Sequence, residues 1–153
     1  MQGSIVRLVL FTVSLLALPQ VVADTLQPFE SDGCSAFPDG TPAQNELWLG
    51  CCVAHDFAYW KGGSFEERKV ADTALQVCVS EVGEKAIANI MLTGVRVGGT
   101  PLLPTTFRWG YGWSYPKFYG EMTREELVEV EKLIDGPDQQ QRKLPHCLGD
   151  SVE

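Results

Sequence analysis

Five residues in one nine-residue stretch carry groups that could do chemistry: Cys51, Cys52, His55, Asp56 and Tyr59. On a helix, His55 and Tyr59 lie one turn apart and share a face. Cys51 and Cys52 fall within a turn of His55 on that side, while Asp56 is rotated by about 100° and points elsewhere. Further on come Asp72 and Cys78. If the two stretches form an antiparallel helical hairpin, facing positions have a nearly constant index sum. The pairs Cys51/Cys78 and His55/Asp72 differ by only two in that sum, about 3 Å of rise shared between two helices. A bridge between Cys51 and Cys78 would therefore bring Asp72 within reach of His55. A histidine held by a carboxylate is a general base with a fixed tautomer. No GxSxG elbow accompanies it, so the simplest chemistry is activation of a water. Asp56, on its own face, could serve a metal ion. The same spacing also admits a structural reading, with His55 a core histidine and Asp56 a surface charge.

The elements that must position these groups are marked by punctuation in the sequence. The segment 24–40 is rich in Gly, Pro, Ser and Asp and reads as irregular. Thr41, Pro42 and Gln44 form a capping signature that predicts a helix from Pro42 to about Trp60, stopped by Gly62-Gly63. Ser64 and Glu67 form a second capping box, opening a helix to at least Val82, with an extension past Gly83 to Leu92 left open. The stretch 93–120 is too rich in glycine for helix and reads as loop, with a short hairpin as an alternative. It holds Phe107, Trp109, Tyr111, Trp113, Tyr115, Phe118 and Tyr119. These aromatics are expected to pack over the hairpin and close a small core; an interfacial patch is the other reading. Thr123 and Glu126 form a third capping box, predicting a helix from Arg124 to about Ile134 with Leu127, Val130, Leu133 and Ile134 on one face. Arg68 reads as a surface charge.

The chain has 153 residues, 44 % of them apolar, which is material for one globular domain. With 12 basic and 20 acidic residues its formal charge is −8. That excludes nucleic-acid binding through a basic face and disfavours attraction to an anionic membrane by charge. Arg7, an apolar run Leu8–Leu18 of 11 residues, Pro19 and the small residues ending at Ala23 predict a secretory signal peptide cleaved after Ala23. The run is too short to span a bilayer, and no other stretch could. The expected organisation is a signal peptide over 1–23, a folded domain over 24–135 and a polar tail over 136–153. The product would be a secreted or periplasmic monomer. In an oxidising compartment the five cysteines make at most two disulfides and leave one thiol. The adjacent pair Cys51-Cys52 argues against a zinc site.

The stretch Cys51-Cys52-Val53-Ala54-His55-Asp56-Phe57-Ala58-Tyr59 resembles the CCxxHDxxY active-site helix of the secreted phospholipases A2. Cys34-Ser35-Ala36-Phe37-Pro38-Asp39-Gly40-Thr41-Pro42 resembles the calcium loop that precedes that helix. Asp72-Thr73-Ala74-Leu75-Gln76-Val77-Cys78 resembles the DxxAxxC stretch of the family's second long helix. The likeness covers about residues 33–82 and is greatest to the compact bacterial and fungal branch. It implies a mainly α fold, a disulfide-linked antiparallel helical hairpin with an N-terminal calcium-type loop, followed here by a Gly/aromatic-rich C-terminal segment and one further helix. It implies the bridges Cys51–Cys78 and Cys34–Cys52, leaving Cys147 unpaired. It implies that His55 takes a proton from a water attacking the sn-2 ester of a glycerophospholipid, presented in an aggregate or membrane surface. Asp72 would orient His55, and Tyr59 would hydrogen-bond Asp72. Ca²⁺ would be held by Asp56 and the carbonyls of Gly33, Ser35 and Phe37. Ser35, Phe37 and Pro38 stand where the family has glycines, and Ala58 and Ala71 replace a cysteine pair of the animal enzymes. A non-catalytic binding module, or an esterase of another substrate, on the same scaffold is the alternative.

Overall fold

The computed structural model describes residues 25–83 and 85–136. The expected cleavage after Ala23 and the tail carrying His146 and Cys147 lie outside the described residues. Four helices follow one another: α1 (Leu49–Lys61), α2 (Phe65–Val82), α3 (Lys85–Gly98) and α4 (Arg124–Ile134). Among the described residues there is no strand, and no helix is long and apolar enough to cross a membrane.

Two helix starts follow from their caps. The Ser64 hydroxyl accepts from the Glu67 N–H, while the Glu67 carboxylate accepts from the Ser64 N–H at 2.7 Å. Thr123 and Glu126 repeat the arrangement at the head of α4. The third cap does not propagate. Thr41 Oγ1 does accept from the Gln44 N–H at 3.1 Å. However, the Thr41 N–H also donates to the Gln44 carbonyl, so the turn closes on itself. Trp48 then ties the returning chain down, its indole N–H donating to the Pro38 carbonyl at 2.6 Å and its backbone N–H to Asp39. Helix α1 therefore starts at Leu49, not at Pro42.

Helix α2 ends at Gly83, which leaves helical geometry (φ −136°, ψ −138°), and a Cβ there would lie 3.2 Å from the Trp48 ring. The loop expected from residue 93 onward begins only after Gly98, because α3 continues through Gly94. Each internal glycine costs a helix about 1 kcal/mol. Burial outweighs this: Ala88 and Met91 pack with Trp48, Leu75 and Val79, flanked by Ile87 and Val95, and one buried Met contributes about 1.5–3 kcal/mol.

Beyond α3 the chain is irregular, and its aromatics cover the α1–α2 turn. The segment's backbone and indole N–H groups satisfy carbonyls at the end of α1 and in the turn after it. Gly110 N–H donates to Tyr59 O, Gly112 N–H to Trp60 O, the Trp113 indole to Lys61 O and the Trp109 indole to Gly63 O. Trp109 and Trp113 are buried, whereas Phe107, Tyr115 and Phe118 are exposed. On α4, Val130, Leu133 and Ile134 pack with Leu26, Phe29, Trp60 and Trp113. Leu127, placed on the same apolar face by periodicity, is instead 48 % exposed.

Candidate active site

Disulfides and helical register bring the site together. Cys51–Cys78 links α1 to α2, with Cα atoms 5.7 Å apart, and Cys34–Cys52 ties the preceding loop to α1, at 5.0 Å. One turn beyond the first bridge, His55 Nε2 lies 3.0 Å from Asp72 Oδ1. The Tyr59 hydroxyl donates to the same oxygen at 2.6 Å. Asp72 is fully buried and His55 nearly so. Burial and the bond to Asp72 push the Tyr59 hydroxyl pKa up, which keeps it a proton donor. If Asp72 is the acceptor of this bond, the shared proton would sit on His55 Nε2 and Nδ1 would be the nitrogen left open towards the cavity.

Two arginines complete this wall. Arg68 is not a surface charge: it is 4 % exposed, with Nε donating to the Tyr59 hydroxyl at 3.0 Å. Its Nη2 donates to the carbonyls of Val95 and Arg96, and Nη1 to the Tyr119 hydroxyl. Arg96, unrecognised in the sequence, places Nε 2.8 Å from Asp72 Oδ2. Its N–H is not aimed at that oxygen, so the contact is an ion pair rather than a hydrogen bond. Gly99 matters sterically, because a Cβ there would run into the Tyr59 ring and hydroxyl.

The facing wall is the loop before α1. Gly33 (φ +80°) and Ser35 (φ +54°) are both left-handed. Asp39 Oδ1 accepts from the Cys34 N–H at 2.8 Å and fills the space where a Gly33 Cβ would be. Ser35 Oγ donates to Asp32 at 2.9 Å, and Ser31 Oγ donates to Asp56 Oδ2 at 2.6 Å. Burial, and then repulsion from Asp32 and Asp39, push the Asp56 carboxyl up to about 7 despite the Ser31 bond. A half-buried carboxylate beside two others suits a hard divalent cation, which would offset both effects. No group of three or more His, Cys, Asp and Glu side chains converges among the described residues. A cation here would therefore depend on backbone carbonyls for most of its ligands.

Both walls open on one cavity of about 350 Å³. Residues Gly33 to Phe37, His55, Asp56 and Tyr59 line one part of it. Leu75, Ile90, Met91, Val95 and Phe107 make the rest apolar. The candidate residues His55, Asp72 and Tyr59 are thus in mutual contact. Asp56, Gly33, Ser35 and Phe37 border the cavity that His55 faces, with Asp72 behind it. Ala58 and Ala71 line a separate groove between α1 and α2. No protein-family model, curated protein or solved structure matches the chain.

Proposed function

We propose that this chain is an exported, calcium-dependent hydrolase of the phospholipase A2 type, cleaving the sn-2 ester of glycerophospholipids. The observation that carries the reading is the meeting of two walls. His55, backed by the buried Asp72, and the loop residues beside Asp56 border one largely apolar cavity. Two disulfides suit an oxidising compartment, in keeping with the signal-peptide reading.

His55 Nδ1 takes a proton from water as the water oxygen bonds to the ester carbon. Asp72 stabilises the imidazolium that forms, and Tyr59 holds the carboxylate in place. Collapse breaks the bond to the glycerol oxygen, and His55 returns the proton to that leaving oxygen. The products are a free fatty acid and a lysophospholipid. Held by Asp56 and the carbonyls of Gly33, Ser35 and Phe37, Ca²⁺ would supply positive charge for the developing oxyanion. The apolar wall from Leu75 to Phe107 suits the acyl chain of a lipid presented by an aggregate or membrane surface. The protein would act as a monomer, since the hairpin supplies every residue of the dyad.

The test is release of fatty acid from vesicles labelled at the sn-2 position, with His55→Ala alongside. The parent should release label and the variant should not, with unchanged near-ultraviolet circular dichroism. Equal release by both would overturn the assignment. A non-catalytic binding module is favoured only by Ser35, Phe37 and Pro38 standing where the family has glycines. It predicts lipid binding without turnover in the parent.

A further inference from the structure

Asp72 has no exposure at all, so both of its oxygens must be accounted for by protein groups. Oδ1 takes the bonds from His55 and Tyr59. Oδ2 receives no hydrogen bond, and its neighbours are two guanidinium groups: Arg96 Nε at 2.8 Å and Arg68 Nε at 4.0 Å. The two arginines cross between helices. Arg68, on α2, donates to the carbonyls of Val95 and Arg96 on α3. Arg96, on α3, donates from Nη2 to the Lys69 carbonyl on α2 at 3.1 Å and reaches the Thr73 hydroxyl at 3.3 Å. Each side chain is therefore fixed by the other's helix, with Asp72 between them.

This arrangement does more than pack two helices. A carboxylate buried without an opposite charge protonates rather than stay ionised. A protonated Asp72 could donate to His55, and the resting imidazole would then carry its proton on Nδ1. That is the wrong nitrogen, because Nδ1 must be free to take a proton from water. The guanidinium beside Oδ2 holds the carboxylate in one orientation, with Oδ1 turned to Tyr59 and His55.

We propose that Arg96, supported by Arg68, is a positioning residue: its guanidinium fixes Asp72 Oδ2 and so holds the His55 proton on Nε2. The water-activating consequence rests on the phospholipase A2-type reading. The tautomer does not, and it can be read without substrate.

The experiment is long-range ¹H–¹⁵N NMR of the imidazole nitrogens at a pH where His55 is neutral. The chain has two histidines, His55 and His146, so a His55→Gln spectrum assigns the signals. The parent should show one tautomer, protonated on Nε2. Arg96→Gln should show a mixture of both, and Arg96→Lys, which keeps the charge, should restore most of the parental form. In the hydrolysis assay, Arg96→Gln should lower kcat about tenfold with little change in KM, since the lost interaction acts on the base and not on substrate binding. An unmoved tautomer in a folded Arg96→Gln protein would overturn the proposal. If that variant does not fold, the parent still decides, since Nδ1–H or a mixture there overturns it. A parent that shows Nε2–H alone, turns to a mixture in Arg96→Gln and yet hydrolyses no phospholipid would uphold the positioning role and remove the phospholipase reading.

Discussion

The two walls of the cavity are held by different physics. On one side, His55, Tyr59, Asp72, Arg68 and Arg96 come from three regular helices and lock one another through short contacts around the buried Asp72, with Arg96 partly exposed at the edge. Their geometry is set by helical register and by the Cys51–Cys78 bridge. On the other side, the loop around Ser31–Gly40 has no repeating backbone pattern. It is shaped by side chains bonding to a nearby backbone N–H or to each other, and by two left-handed residues. The helical wall is built to hold one geometry in the absence of ligand. The loop wall concentrates negative charge that it cannot itself neutralise. In the proposed hydrolase, the difference teaches that the base would be preorganised by the fold, whereas the electrophilic side would be completed by what binds there.

The largest effect should come from disturbing the preorganised wall at its centre. Asp72→Asn should lower kcat by about 10³-fold, because the amide can donate to His55 and no longer dictates the tautomer. Steady-state hydrolysis at saturating Ca²⁺ checks this, and a loss under tenfold would show that register alone holds the imidazole. Next is the bridge that sets the register. Replacing Cys51 and Cys78 together by Ala should reduce stability by about 3 kcal/mol, read from chemical denaturation. Breaking Cys34–Cys52 instead should weaken Ca²⁺ binding more than it loosens the hairpin.

Smaller effects belong to the loop. Ser35 holds a left-handed conformation that costs a non-glycine residue about 1 kcal/mol. Ser35→Gly should therefore stabilise the loop and tighten Ca²⁺ binding several-fold in a calorimetric titration, at the loss of one exposed bond to Asp32. Weaker binding would show that the serine hydroxyl, rather than backbone shape, organises the site. The smallest effect is electrostatic. With its carboxyl raised to about 7, folded Asp56 binds more protons than the unfolded chain between pH 4 and 7. Stability from this group therefore falls as pH rises through that window. In excess chelator, Asp56→Asn should raise Tm at pH 8 and the gain should shrink towards pH 5; Ca²⁺ should restore the parent at pH 8. A gain independent of pH would contradict the burial of an unpaired charge.

The contrast between the walls also governs what could be read from the sequence. The His55–Asp72–Tyr59 contact was legible because a helix has a fixed period, so spacing translates into facing positions. The capping boxes at Ser64 and Thr123 were legible because two reciprocal bonds leave a short sequence signature. Arg96 was not legible: its place depends on α3 continuing through Gly94, and tertiary burial of Met91 and Val95 overrides the glycine penalty. Arg68 was read as a surface charge because nothing local shows that Tyr59 and the end of α3 will close over it. Thr41 does cap a turn, but Trp48 reaching back to Pro38 decides that no helix grows there. Ser31, three residues before Cys34, belongs to no helical pattern, and its bond to Asp56 exists only once the loop is folded onto α1.

The central claim is that both walls act on one ester, and calcium dependence of hydrolysis tests it most directly. Fatty acid released from sn-2-labelled phospholipid vesicles would be followed as Ca²⁺ is titrated, with a chelator control. With Asp56 as the one carboxylate ligand and Ser35, Phe37 and Pro38 in place of loop glycines, half-maximal activity should need Ca²⁺ on the order of 10⁻³ M. Activity should vanish in chelator and in Asp56→Lys. Full release in excess chelator would contradict the account, leaving His55 and Asp72 to work without the loop wall.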